Sequence, residues 1–524
     1  MKAHYGNRTL ILLFAMSMTL PPGVARAQDS SAPPQDGGQQ PAAPAPAFGQ
    51  DNPPTPITEN PPISGLDQPG LEPHAAPLSY LQPGAHISET ADSNVANSLG
   101  SGSGVHSVTR ALGSLELQRL WSRYDLALDY LGGVGYYNLR GVGIKQLHQL
   151  SVDQRINWKR GQLTVRDSFS YLPEGNFAGG YGSLSATGRA LGGFGGIGFF
   201  GNGMFGGLGQ VPRIMNITLV DVIENLTPKS SVTASGGYSF VHYTGSNPGV
   251  DNIPFLGSTQ VSAQAGYDRI VGPHDQVALT YGYQGFTFST SAVTLFDTSF
   301  HTHVIQAMWG HRISGRMDFK VGVGPQITQI SQTCTFVDVF AGNPHCSIGP
   351  GGDIVGSIPN QRLTVAGRAA LRYRFPKASL ELAFERFTTA GSGLFPGANS
   401  NIARGSVSRP LTRIWTVIAD AGYAHNSRLQ QLTPQDLQTC TPTATNPNPP
   451  PCPGTIASTY SSGFAGLIVH RQVGHDFRVY ASYQFNYLTF DKSFCGASAS
   501  CSRISNRQVG LIGLDWTPRP VRLD

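Results

Sequence analysis

The sequence predicts an all-β protein: a closed antiparallel transmembrane β-barrel of about 18 strands (roughly 16–18), with short turns at one rim and long loops at the other. Three observations carry this prediction. From residue 84 onward, apolar and polar side chains alternate with a period of two in segment after segment. The connections between segments are short and long by turns. Only 13% of residues are charged, against about 25% in ordinary soluble domains, while the chain holds 64 Gly, 19 Tyr and 26 Phe. Few charges with many aromatics suit a surface that faces lipid between aromatic girdles.

The chain opens with a secretory signal peptide, residues 1–27. Lys2 and Arg8 give a basic start, Leu10 to Leu20 an apolar core, and Ala25-Arg26-Ala27 a small-x-small cleavage site. Eleven apolar-rich residues ahead of Pro21-Pro22 fall short of the about 20 that a membrane-spanning helix needs. Residues 28–83 follow with 14 prolines, six Asp or Glu, and no Lys or Arg. Such a segment buries too little apolar surface to offset its ordering entropy, so it is expected to be a disordered periplasmic tether. A docking arm for a periplasmic partner is the alternative.

The barrel is expected over 84–524. In Val479–Tyr487, Val479, Ala481, Tyr483, Phe485 and Tyr487 share one face and Arg478, Ser482, Gln484 and Asn486 the other. Tyr124, Leu126, Leu128 and Tyr130 alternate in the same way with Asp125, Ala127 and Asp129. Short turns are expected near residues 122, 160, 228, 273, 315, 376, 410 and 474, and longer Gly/Asn/Pro-rich loops near 138–144, 173–212, 244–256, 287–298, 331–360, 391–400, 428–457 and 491–502. A strand over about 105–121 that runs into a short turn requires an earlier partner, and 84–95 supplies it. At the far end Ile512, Leu514 and Trp516 alternate with Leu511, Gly513 and Asp515. Typical assembly signals of outer-membrane proteins end on the aromatic, whereas eight residues, TPRPVRLD, follow Trp516 here.

Six cysteines in an exported chain point to disulfides. Cys334 and Cys346, Cys440 and Cys452, and Cys495 and Cys501 each fall within one expected loop, which makes local staples the obvious pairing. Their spacings are not those of common zinc sites.

Two features bear on a lumen. Arg362, Arg368, Arg372 and Arg374 share the face opposite Leu363, Val365, Leu371, Tyr373 and Phe375. Across a two-residue turn at Pro376-Lys377, Arg372 would stand opposite Glu381 and Arg368 opposite Glu385. The arginines must face water or protein, since on a lipid face at mid-depth each would cost about 2–4 kcal/mol. They form either a basic ladder for anions or sugar hydroxyls, or a salt-bridged wall. Residues 84–524 carry 33 Lys or Arg against 25 Asp or Glu, which favours a weak anion preference. The second feature is the third long loop, whose Gly-rich core bears Arg189, Phe194, Phe199, Phe200, Met204 and Phe205. So apolar a loop either folds into the lumen as a constriction or projects outward to meet a partner or lipid.

No spacing singles out a nucleophile with its base, and His301 and His303 are a pair on one strand face with no further ligands in reach of the pattern. No phosphate loop follows a strand, and no basic-aromatic pattern for nucleic acid occurs. The sequence therefore implies no enzyme, cofactor, metal site or nucleic-acid partner. Residues 28–83 are also too short and Pro-rich for the folded plug of a receptor-type transporter.

The stretch Pro83-Gly84-Ala85-His86-Ile87-Ser88-Glu89-Thr90-Ala91-Asp92-Ser93-Asn94-Val95 resembles the opening strand of a family of outer-membrane β-barrel porins, some of whose members are associated with exopolysaccharide export. The resemblance implies a location in the outer membrane of a Gram-negative-type bacterium. Contact with outer-membrane lipid and assembly machinery follows from it. A barrel of 18 strands is wide enough to hold water, and three roles stay open: passive diffusion of small hydrophilic solutes, a place in polysaccharide export, or a structural or adhesive barrel whose lumen the third loop blocks.

Overall fold

A computed structural model of the chain describes residues 79–95, 104–139, 142–172, 212–244, 257–288, 298–333, 345–350, 354–375, 377–389, 397–429, 458–491 and 502–523. Among them are twenty strands and no helix. The first eleven are β1 (Tyr80–Asp92), β2 (His106–Leu120), β3 (Tyr124–Tyr137), β4 (Gly143–Trp158), β5 (Gly161–Leu172), β6 (Arg213–Thr227), β7 (Ser230–Tyr243), β8 (Ser258–Ile270), β9 (Asp275–Phe288), β10 (Thr298–Ser314) and β11 (Met317–Thr333). A three-residue strand, β12 (Cys346–Ile348), precedes β13 (Ile354–Phe375). Then come β14 (Ala378–Thr389), β15 (Ala398–Pro410), β16 (Trp415–Arg428), β17 (Thr459–Val473), β18 (Phe477–Phe490), β19 (Ile504–Trp516) and the two-residue β20 (Val521–Arg522).

Eighteen of these form the wall. Each pairs antiparallel with the next, β11 passing directly to β13, and β19 returns to β1, which closes the barrel. All eight expected short turns are present, from residues 121–123 to 474–476. In the last of them Gly474 has φ +68°, a left-handed conformation that glycine adopts without steric cost.

Three boundaries differ from the sequence reading. β1 begins at Tyr80, not at 84, and passes through Pro83. Proline is tolerated there because the ladder to β19 starts only at Ala85, and β20 reaches only Tyr80 and Leu81. Part of the loop expected at 331–360 is strand, because Ser331, Gln332 and Thr333 go on pairing with Pro359, Ile358 and Ser357. The residues after Trp516 are not a bare extension, since Val521 and Arg522 pair with Leu81 and Tyr80. Residues 1–78, with the expected signal peptide and most of the expected tether, lie outside the described residues.

Burial is inverted relative to a water-soluble fold. Inward-facing His86, Asp92, Asp129, Asp153, Arg166, Asp221, Arg478, Arg507 and Asp515 are buried, while outward-facing Ile87, Ile144, Leu279, Leu363 and Ile512 are each 58% or more exposed. All five tryptophans of the chain (Trp121, Trp158, Trp309, Trp415 and Trp516) stand exposed at or near the short-turn rim. Tyr124, Phe375 and Phe477 join them.

Closure rests on the shortest ladder of the wall. β1 and β19 share eight residue pairs, Ala85 with Trp516 through Asp92 with Val509. Buried charge reinforces it. Arg507 Nε donates to Asp92 Oδ2 at 2.8 Å. Arg478 Nη2 donates to Asp515 Oδ2 at 2.7 Å, and Asp515 Oδ1 lies 2.9 Å from His86 Nδ1. His86 Nε2 is in turn 2.8 Å from Ser114 Oγ, so the network ties β18, β19, β1 and β2 together. Removing one partner of a buried pair costs about 3–5 kcal/mol, because the other charge is left uncompensated. Arg507→Ala should therefore lower the temperature at which the folded barrel loses its compact mobility in detergent gels. Adding Asp92→Ala should restore part of the loss, and an unchanged transition in the single variant would show that the seam does not depend on this pair.

Candidate functional site

Among the described residues, polar chemistry is concentrated on the inner wall. Strand parity decides which residues reach it. On β13, Arg362, Arg368, Arg372 and Arg374 have inward parity, whereas Leu363 and Val365 are 71% and 53% exposed on the outside. The β13–β14 register sets Arg372 beside Glu381 and Arg368 beside Glu385, as the tight turn requires. The ion pair of Arg372 is formed on its other flank, however, where Nη2 lies 3.1 Å from Asp318 Oδ2 of β11. Arg368 Nη2 donates to Gln306 Oε1 of β10 at 3.1 Å. Arg362 Nη1 donates to the Leu429 carbonyl at 3.4 Å. With Lys320 of β11, which also has inward parity, these side chains make a basic arc that carries Asp318, Glu381 and Glu385 within it.

An arc of mixed charge stands opposite. β13 is the twelfth wall strand and β3 the third, half-way round eighteen. Asp125 and Asp129 of β3, Glu116 of β2, Asp153 of β4 and Asp221 of β6 all have inward parity. Arg166 of β5 bridges two of them, with Nε 3.8 Å from Asp153 Oδ2 and Nη2 hydrogen-bonded to Asp221. Arg110 of β2, Lys145 and Arg155 of β4 and Arg213 of β6 also have inward parity, so acid and base balance on this arc, whereas base is in excess on the other.

Nearer the long-loop rim, β9–β11 carry an apolar patch on the inner wall. Phe286, Phe288, Phe300 and Ile330, inward on β9–β11, cluster with Leu429 at the end of β16. Gly397, just before β15, has φ +80°, and a Cβ there would lie 2.9 Å from both Phe300 Cε2 and Leu429 Cδ1. The β13–β14 ladder stops at Gly367–Arg386, and beyond it β14 swings inward. Thr388 has the parity of outward-facing Leu382 and Phe384, yet it is buried. It lies 3.3 Å from Thr328 Oγ1 and is hydrogen-bonded to Gln326, both of β11. The ends of β14–β16 thus rest on the inner face of β9–β11 and form a collar.

Several residues marked by the sequence do not enter this site. Arg189, Phe194, Phe199, Phe200, Met204 and Phe205 lie outside the described residues, as do Cys334, Cys440, Cys452, Cys495 and Cys501. Cys346 opens β12. His301 and His303 face outward near the long-loop rim, each 2.8 Å from a tyrosine hydroxyl, Tyr283 and Tyr281 respectively. Sequence reasoning missed Asp318 as the partner of Arg372, because a turn reveals only the neighbour within its own hairpin. It also missed the seam charges, although parity alone places Asp92, Arg507 and Asp515 inside. Nothing in the local pattern signals the collar.

No family model and no curated protein matches the chain. Solved structures similar to it include the ferric-catecholate import receptor Fiu of E. coli K12 in its closed form, at 9% identity and a TM-score of 0.41, covering 84% of this chain and 82% of that one. OccK2 (OpdF) of Pseudomonas aeruginosa is similar at 9% identity and a TM-score of 0.36, over 83% of this chain and 98% of that one. Likeness at this level says nothing of what this chain carries.

The collar has a direct test. Thr328→Cys combined with Thr388→Cys should yield an additional disulfide in the folded protein, since two short side chains whose oxygens are 3.3 Å apart meet the geometry a disulfide needs. Absence of the cross-link on peptide mapping would mean that β14 does not lean across the mouth.

Proposed function

We propose that the chain is an outer-membrane β-barrel channel through which small hydrophilic solutes diffuse passively, with a weak preference for anions. The observation that carries this reading is the inverted wall, apolar outside and charged within, ringed by tryptophan at one rim. Tryptophan and tyrosine favour the boundary between lipid and water. A barrel of eighteen strands is wide enough to hold water, and the basic arc of Lys320, Arg368, Arg372 and Arg374 supports the anion preference. Export by the cleavable segment 1–27, a periplasmic role for 28–78, and loop staples Cys334–Cys346, Cys440–Cys452 and Cys495–Cys501 complete the reading. It requires no catalytic group.

The collar favours a second reading, a barrel shut at rest, either as the exit of a polysaccharide export system or as a structural element. Single-channel recording of the refolded mature protein, with reversal potential in a salt gradient, separates the two. Steady openings of anion-preferring sign are expected, and Arg372→Gln with Arg374→Gln should move the reversal potential toward zero. An inserted barrel that never conducts would reject passive diffusion. If it then conducts on deletion of residues 189–209, the block lies in the third loop.

A further inference from the structure

The upper edge of β13 is left open. In an antiparallel strand, successive residues turn their N–H and C=O groups to opposite neighbours. Arg374 N donates to the Arg316 carbonyl on the β11 side at 2.8 Å. Val365, Leu363 and Gln361, of opposite parity to Arg374, therefore turn theirs toward β14. The β13–β14 ladder stops at Gly367–Arg386, and among the described residues no other ladder reaches those three on that side. Val365 and Leu363 are exposed on the outer face, where lipid offers nothing to an unpaired backbone group. Pro359, the next of the set, has no N–H to leave open, which suits a strand edge.

The segment that would satisfy this edge belongs to the neighbouring strand. Continued past Gly367–Arg386, the register sets Ala366 beside Phe387, Val365 beside Thr388 and Thr364 beside Thr389, with no residue inserted or skipped. Parity agrees: Val365 and Thr388 would both face outward, and Thr364 and Thr389 both inward. Thr364 Oγ1, buried here without a hydrogen-bond partner, would meet a threonine hydroxyl across the ladder. In this structure Thr388 instead contacts Gln326 and Thr328 on the inner face of β11, a seat made of neutral groups. The ends of β14, β15 and β16 stay paired with one another, up to Thr389–Ala398 and Ala398–Arg428, so they travel as one piece.

We propose that the end of β14 is a gate with two seats: the inner face of β11, as here, and the open edge of β13. In the second seat Val365 and Thr388 exchange backbone hydrogen bonds. The collar then leaves Phe286, Phe300 and Ile330, and the mouth widens on that side. The gate rests on the channel reading above and gives its shut form a moving part. The movement needs no change of register, only a swing of the sheet end about Arg386.

Two cysteine pairs that share Thr388→Cys test it, each oxidised in the inserted mature protein and located by peptide mapping. Thr328→Cys with Thr388→Cys holds the inner seat. Val365→Cys with Thr388→Cys holds the outer one, where a hydrogen-bonded pair sets the Cα atoms about 5.5 Å apart, within the span of a disulfide. Both cross-links should form. In planar bilayers the inner-seat form should lose part of the conductance that the outer-seat form carries, and reduction should abolish the difference. Wild-type protein, reduced in parallel, controls for the native cysteines. Absence of either link in a folded barrel would remove one seat and with it the gate. Equal, non-zero conductance of the two locked forms would show that the seats gate nothing. If both links form and neither barrel conducts, the channel reading fails while the two-seated strand stands.

Discussion

Everything in this wall depends on the two-residue period of an extended chain. Each residue belongs to the lumen or to the outer surface according to its parity, and eighteen strands agree on that assignment only while every ladder keeps its register. A slip of one residue in β13 would turn four arginines outward and bring Leu363 and Val365 inside. The ladders show how the constraint is met. Register shifts occur between Arg312 and Ser314 and between Asn225 and Thr227, both next to short turns, where an irregularity alters the rim and leaves the wall in phase.

Parity also explains why charge is so dense inside. Once outward positions are reserved for apolar side chains, all the hydrophilic character of a strand falls on half its residues. Neighbouring strands then bring those residues into contact. Arg166 between Asp153 and Asp221, Arg404 with Asp420, and Arg478 with Asp515 all join adjacent strands. The charges thus serve the wall as well as the space it encloses. On β11–β14 the inward bases outnumber the inward acids. Nearer the long-loop rim the inner face of β9–β11 is apolar, and there the ends of β14–β16 rest on it.

The architecture was legible in the sequence because it is periodic. The alternation in β18 and the eight short turns need no long-range information, and an even strand count supplied a first strand that its own pattern marks weakly. Contacts between strands that are not hairpin partners were hidden. Asp318 and Arg372 are 54 residues apart, and no local rule links them. The collar was hidden for another reason: it depends on β14 leaving its ladder after Arg386, which reverses the parity of Thr388.

The seam that closes the sheet has a consequence in time. Its eight pairs join residues more than four hundred positions apart, whereas hairpin ladders join near neighbours along the chain. Contacts of such separation form late, after the loop entropy has been spent. Interactions absent from the transition state act on the rate of unfolding and leave the rate of folding nearly unchanged. The buried charges at β1 and β19 are therefore a ratchet: they do little to hasten assembly of the barrel and much to prolong its lifetime once assembled.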